Sequence, residues 1–287
     1  MNNLAPIDVQ QLQHVKDIVS TDESTVEVFK DPANNRKIIS KRSRLRNQYV
    51  KNEIEILQKL THPNIVKYYG HSLINGYYRL FLNVMDFSLK DLLDKLFERN
   101  ATMDAEKHLR IAMSIARGLL YLHQNKIVHR DLKPGNILLK KGCTDINICD
   151  FGLSLDLTKQ PTPIKWNTGS PIWISPEVAI CCAQLSSSPE QPEKMDVWAL
   201  GQMLLQLYIN THGEPYHPKV WGKEYENPNV VITTIMDGKH DEIPTNKPLS
   251  EVIGFCLRKT SSERYSAAQV VEALEDHAAA SLEKLKI

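Results

Sequence analysis

The periodicity of the chain changes at Phe87. Before it, apolar residues alternate in short runs; after it, they recur every three or four positions. Thr25-Val26-Glu27-Val28-Phe29 alternates and ends in turn chemistry at Asp31, Pro32, Ala33, Asn34 and Asn35. Lys37-Ile38-Ile39-Ser40 supplies a partner strand, so the spacing predicts a hairpin. Residues 47–60 carry Val50, Ile54, Leu57 and Leu60 on one helical face, and Pro63 marks the exit. Two further strands, Ile65–Tyr69 and Tyr78–Val84, are predicted around an Asn75-Gly76 turn. Past Phe87, helices are predicted over 105–124 and 196–209. The first aligns Ala112, Ile115, Ala116 and Leu119; the second aligns Val197, Leu200, Leu204 and Tyr208. The last helix opens on the capping-box pattern Ser266-Ala267-Ala268-Gln269 and runs on through Val271, Leu274, Ala278, Leu282 and Leu285. A small strand-rich part therefore meets a larger helical part near Asp86–Ser88, a kind of junction that ligand clefts favour.

Charge excludes some partners. Thirty-five Lys+Arg against 34 Asp+Glu leave a formal charge of +1 over 287 residues. That balance gives no whole-chain attraction to nucleic acid or to an anionic membrane, and neither is expected as a partner. The length suits one large domain or two lobes. Cys143, Cys149, Cys181, Cys182 and Cys256 lack metal-ligand spacing and read as reduced thiols. The N-terminus has no basic stretch followed by an apolar run, and no apolar segment approaches a membrane span. A cytoplasmic location is the expectation.

Chemistry concentrates in Ile127-Val128-His129-Arg130-Asp131-Leu132-Lys133-Pro134-Gly135-Asn136-Ile137-Leu138-Leu139. Fourteen residues after Asn136 comes Asp150-Phe151-Gly152, behind the alternating run Ile146-Asn147-Ile148-Cys149. Ser175-Pro176-Glu177 follows downstream. In this order and spacing the motifs resemble those of the eukaryotic protein kinase family. The resemblance implies a bilobal α+β fold: a small antiparallel-sheet N-lobe with one main helix, and a larger helical C-lobe. It implies tails at 1–14 and 283–287, the N-lobe at 15–87 and the C-lobe at 88–282.

The resemblance also assigns roles. ATP and Mg²⁺ are the implied cofactors and a protein is the implied substrate. Asp131 accepts or orients the proton of the substrate hydroxyl, and Lys133 reaches the transferred phosphoryl group. Asn136 and Asp150 are oxygen donors suited to Mg²⁺. The Asp-Leu-Lys-Pro loop is similar to that of Ser/Thr kinases, in which a hydroxyl matching Ser170 bridges the catalytic Asp and Lys. Arg130 pairs with a phosphate on the activation segment, for which Thr162 and Thr168 are the leading sites and Thr158 the next. Lys41 is the phosphate-pairing lysine, held by Glu53, with Lys37 as the second candidate. Val26, Ile39 and Leu138 join the nucleotide site; Met85 is the gatekeeper, and Asp86 and Phe87 form the hinge. Asp196 braces the catalytic loop, and Arg264 pairs with Glu177.

The N-terminal part departs from the pattern. Val19, Thr21 and Ser24 fall where the phosphate-covering loop has glycines, and Asp22 and Glu23 add negative charge. Glycine serves there because only a bare backbone approaches phosphate closely. Ile39 replaces a usual alanine against the adenine, and the twelve positions from Lys41 to Glu53 are short for the family. Two functions follow from this mixture: a Ser/Thr protein kinase regulated by activation-segment phosphorylation, or a weakly active or inactive kinase fold serving as a binding module. The polar run 182–194, CAQLSSSPEQPEK, reads as a surface loop and is the place for a protein partner if there is one.

Overall fold

Alternation in the first third of the chain builds one sheet. The computed structural model describes residues 11–20, 24–159, 170–184, 189–209, 215–216, 222–245 and 248–284. Strands β1 (Gln13–Ser20), β2 (Ser24–Asp31), β3 (Arg36–Arg44), β4 (Tyr68–Ile74) and β5 (Tyr77–Asn83) pair antiparallel in the order β1-β2-β3-β5-β4. The register sets Val28 opposite Ile39, Ile39 opposite Leu82, and Lys41 opposite Leu80. Cross-strand partners share a face. Leu80 and Leu82 face α1 (Gln48–Leu57), the one helix among the described residues of this part, and pack with its Val50, Ile54 and Leu57. Lys41 and Ile39 are thereby turned to the same side. Phe29, Ile38 and Phe81 cluster on the opposite face.

Two expected elements come out differently. The strand read at Ile65–Tyr69 starts only at Tyr68. Ile65 and Val66 are buried in the main core instead, and the backbone there docks on the helical part: Val66 N donates to Ile148 O at 2.9 Å, and Ile148 N to Asn64 O at 2.9 Å. An apolar pair looks the same in a strand and in a core-buried link, so periodicity does not separate them. Helix α1 ends at Leu57, with Gln58 as its cap, three residues short of the periodic pattern.

The helical part follows β6 (Phe87–Ser88) with α2 (Leu89–Glu98) and α3 (Ala105–Gln124), the latter spanning the range predicted for it. Short ladders β7 (Ile127–Val128), β8 (Ile137–Leu139), β9 (Ile146–Ile148) and β10 (Leu155–Asp156) carry the loops of interest, pairing as β6-β8-β9 and β10-β7. Next come α4 (Pro176–Gln184), α5 (Lys194–Ile209), α6 (Pro228–Met236), α7 (Ser250–Cys256) and α8 (Ala267–Lys284). Every residue from Lys194 to Leu207 is buried, so α5 is the central rod. A Cβ on Gly201 would lie 2.6 Å from Cys256 Cβ, which is why α5 and α7 approach so closely there. The capping box forms: Gln269 N donates to Ser266 Oγ at 3.3 Å and Ser266 N to Gln269 Oε1 at 2.8 Å. The run 182–194 is less of a loop than its composition implies, since Cys182–Gln184 finish α4 and Lys194 opens α5; residues 185–188 lie outside the described residues. No helix among the described residues is long and apolar enough to cross a membrane.

Arg264 ties α4 to the base of α5. Its fully buried guanidinium donates to both Glu177 oxygens, at 2.7 and 2.9 Å, and to the carbonyls of Lys194, Arg258 and Lys259. It also stacks 5.2 Å from the Trp198 ring. Removing one partner of a buried pair leaves an uncompensated charge. Glu177→Ala should therefore lower the unfolding free energy by about 3 kcal/mol, the low end of the usual range because backbone carbonyls still hold the cation. Urea unfolding checks this, and a loss well below 1 kcal/mol would contradict it.

Candidate active site

Three elements converge on Lys41. Its Nζ stands 2.8 Å from Glu53 Oε2 on α1 and 2.8 Å from Asp150 Oδ1 in the Asp-Phe-Gly turn. The short spacing to Glu53 works because β3 runs to Arg44 and Asn47 caps α1 three residues later, accepting from Tyr49 N at 3.0 Å. Lys37 shares the strand face, but it sits four residues away, about 13 Å along a strand. It lies exposed, opposite Lys30. Burial alone would lower the Lys41 pKa; the charges of Glu53 and Asp150 outweigh it and hold the ammonium above its ordinary range. Burial works the other way on Asp150, yet Lys41 keeps its carboxyl below the usual range. Glu53 is pushed up by its burial, against the pull of Lys41.

The catalytic loop hangs from Asp196 at the start of α5. Asp196 accepts from His129 N at 2.8 Å, from Arg130 N at 2.9 Å and from His123 Nε2 at 3.1 Å. These bonds hold Arg130 at φ 69°, in the left-handed region that non-glycine residues rarely occupy. Asp150 sits at φ 67°. Such residues cost about 1–3 kcal/mol each and persist only where the surroundings over-determine them. His129 links the two, donating from Nε2 to Cys149 O at 2.9 Å while Nδ1 accepts from Asp131 N at 3.3 Å.

Asp131 is the hub of this loop. Lys133 Nζ lies 2.9 Å from its Oδ2, Asn136 Nδ2 donates to the same oxygen at 3.0 Å, and Ser170 N donates to Oδ1 at 3.0 Å. Lys133 Nζ also donates to Ser170 Oγ at 2.7 Å, so the Ser170 hydroxyl reaches Lys133 while its backbone N–H reaches Asp131. Because Asn136 spends its amide N–H groups on Asp131, its Oδ1 faces away from that residue. Asp150 spends Oδ1 on Lys41, and its side chain is 43% exposed. Two hard oxygen donors from facing loops fit a divalent cation such as Mg²⁺.

Of the residues expected to line a nucleotide site, Val26, Ile39 and Leu138 are half-buried. β5 stops at Asn83, so Met85, expected as the gatekeeper, lies in the linker, and Leu82 is the β5 residue that stands across from Ile39. Asp86 faces outward, accepting from Lys141 N at 2.8 Å and pairing with Lys140, and its own N–H is spent on Leu139 O. Phe87 pairs with Leu139 in β6. Only Val84 and Met85 remain as the short link between sheet and helices. Val19 is a paired strand residue opposite Val26, while Thr21, Asp22 and Glu23 lie outside the described residues.

Thr162 and Thr168 also lie outside the described residues. Thr158 follows β10, and its hydroxyl donates to Asp156 Oδ1 at 2.6 Å. Two features escaped sequence reasoning. Asn52, one position before Glu53, donates to the backbone after Asp150; only its place on α1 could have marked it. A cavity of about 460 Å³ beside Lys133 and Ser170 is walled by Ile172, Trp173, Tyr225 and Val231. Its far wall comes from α6 and the turn before it, whose apolar pattern looks like any core-facing helix.

Comparison with known proteins agrees with this geometry. A family model described as "Protein kinase domain" matches residues 22–274. The "Kinase and exchange factor for Rac B" of Dictyostelium discoideum is 32% identical over 77% of this chain and 20% of its own length. "Calcium-dependent protein kinase 4" of Plasmodium berghei is 32% identical over 82% of this chain and 43% of its own. "Mitogen-activated protein kinase kinase kinase 5" of Arabidopsis thaliana is 27% identical over 77% and 29%. The chain thus spans less than half the length of each of these relatives.

Asp156 gives a pH signature to the turn between site and α1. Burial raises its pKa, but hydrogen bonds from Lys59 and Thr158 win and hold it at about 2. A depressed carboxylate contributes stability that is complete above its ordinary value of 3.8 and is lost as pH falls toward 2. Wild type should be more stable than Asp156→Asn at pH 6, with the gap closing as pH drops from 5 to about 2. Urea midpoints across that range test it; a gap independent of pH would contradict it.

Proposed function

The chain belongs to the protein kinase family, and from that premise we propose that it transfers the γ-phosphoryl group of ATP to a serine or threonine hydroxyl of a protein. The carrying observation is the Asp131 carboxylate, held by Lys133, Asn136 and Ser170 N at one side of a cleft whose other side presents Lys41. In this reading the substrate oxygen bonds to the γ-phosphorus while the bond from that phosphorus to the bridging oxygen breaks and ADP leaves. The hydroxyl proton passes to Asp131. Lys133 neutralises charge on the transferred group, and Lys41 holds the remaining phosphates. Asn136 and Asp150 would hold Mg²⁺, which supplies further charge neutralisation when bound.

The bridge from Lys133 to Ser170 supports a Ser/Thr acceptor, and the cavity beside it supports a peptide substrate. Its Ile172, Trp173, Tyr225 and Val231 walls suit an apolar residue flanking the acceptor. Phosphorylation of Thr162 or Thr168 supplies a dianion for Arg130 and raises activity in this reading. The glycine-less loop favours a second reading, a kinase fold that binds without turning over.

Labelled ATP with a generic protein substrate separates the two. Wild type should incorporate label, and Asp131→Asn should lose about 10²–10⁴-fold, the usual cost of a general base. Label transfer that is unchanged in Asp131→Asn contradicts the assignment; none in the wild type favours the binding module. Trimming Ile39, whose branched side chain half-lines the base pocket, should tighten ATP. Calorimetric titration of Ile39→Ala checks this, and equal or weaker binding would show that Ile39 does not crowd the base.

A further inference from the structure

Asn52 touches neither Lys41 nor Asp131, yet it joins their surroundings. Its Nδ2 stands 2.8 Å from Ser154 O, 3.0 Å from Gly152 O and 3.3 Å from Phe151 O. All three partners are carbonyl oxygens. Only the NH₂ end of the amide can serve them, so a carboxylate in its place could not.

The loop it grips is the one that leaves Asp150. Asp150 has φ 67°, an uncommon backbone for a residue with a side chain, and the gripped carbonyls begin at the next residue. The loop lies flat on the helix at this point: a Cβ on Gly152 would come within 3.2 Å of Tyr49 Cβ. Two ion pairs continue the same attachment. Lys159 pairs with Glu55, and Lys59, just past the end of α1, pairs with Asp156 at 2.7 Å. The helix that carries Glu53 is thus fastened along its length to residues 151–159. The Lys159–Glu55 pair is about half exposed at both ends, where a pair contributes little. Asn52 is half-buried, and the carbonyls it holds are the partners of the set nearest to Asp150 in sequence.

We propose that Asn52 is a positioning residue that locks the loop carrying Asp150 to the helix carrying Glu53, so that the metal-holding carboxylate and the Lys41–Glu53 pair are set as one body. This rests on the nucleotide-site reading above. Groups that orient a metal ligand typically alter metal affinity by about 10–100-fold when removed. Asn52→Asp keeps the shape but faces three carbonyl oxygens with an anion. Asn52→Leu removes the donors without adding charge, and Asn52→Gln keeps an amide donor on a longer stem.

The experiment is calorimetric titration of the whole chain with ADP, with and without Mg²⁺, beside hydrogen exchange of the nucleotide-free protein. In wild type Mg²⁺ should tighten ADP. In Asn52→Asp and Asn52→Leu that gain should shrink about tenfold while metal-free ADP binding holds. The amides of 151–155 and of α1 should exchange faster in concert. Asn52→Gln should recover part of the gain. An unchanged Mg²⁺ gain, or equal weakening with and without metal, overturns the proposal and leaves the nucleotide site standing. A wild type that binds no ADP under either condition overturns both. Asn52→Leu carries the test if Asn52→Asp fails to fold, and unchanged exchange at 151–155 in Asn52→Leu also counts against it.

Discussion

One ammonium group is shared by two carboxylates, and the arrangement of the site depends on it. Lys41 comes from the sheet, Glu53 from α1 and Asp150 from a loop of the helical part, and both contacts are 2.8 Å. A buried carboxylate such as Glu53 is costly without a partner. The same cation offsets that cost and fixes where the sheet stands relative to Asp150. The sheet register does the rest. Setting Lys41 opposite Leu80 puts its side chain on the face that α1 covers, and a slip of one residue would turn it to the other face.

On the far side of the cleft the organising group is Asp196. It emerges from the buried rod α5 and receives two consecutive backbone N–H groups of the catalytic loop. This lets a polar loop sit in strained backbone on an apolar foundation. His129 extends the brace to Cys149, next to Asp150, so the two acidic residues of the site share one support. Asp131 and Asp150 thus receive opposite treatments from one scaffold. The first is wrapped by donors, while the second is held at one oxygen and open at the other.

Much of this was legible in the residues because it is local. Asp131, Lys133 and Asn136 fall within six positions, and a loop that short can arrange them only a few ways. Ser170, Glu177 and Arg264 are distant, but the motifs around them resembled a known family closely enough to assign partners, and the pairs form. Strand ends were less legible. Alternation continues past Asn83 through Val84, so nothing in the pattern said that β5 stops before the linker, and Met85, read as the gatekeeper, falls past its end. Asp86, read into the hinge, turns its side chain outward to the Lys141 backbone N–H and the Lys140 ammonium, contacts that its sequence neighbours do not reveal. Asn52 was invisible for a different reason. Its partners are backbone carbonyls about a hundred positions away, and a carbonyl leaves no mark on side-chain sequence.

The proposed nucleotide site is built from Lys41, Glu53, Asn136 and Asp150. A crystal structure of the chain with Mg²⁺ and a non-hydrolysable ATP analogue tests it most directly. The expected complex has a metal bound by Asn136 Oδ1 and Asp150, phosphates on Lys41 with Glu53 still paired to it, and the base between Ile39 and Leu138 with Leu82 behind it. A saturated crystal with the analogue elsewhere, or with the Lys41–Glu53 pair broken in the complex, would contradict it.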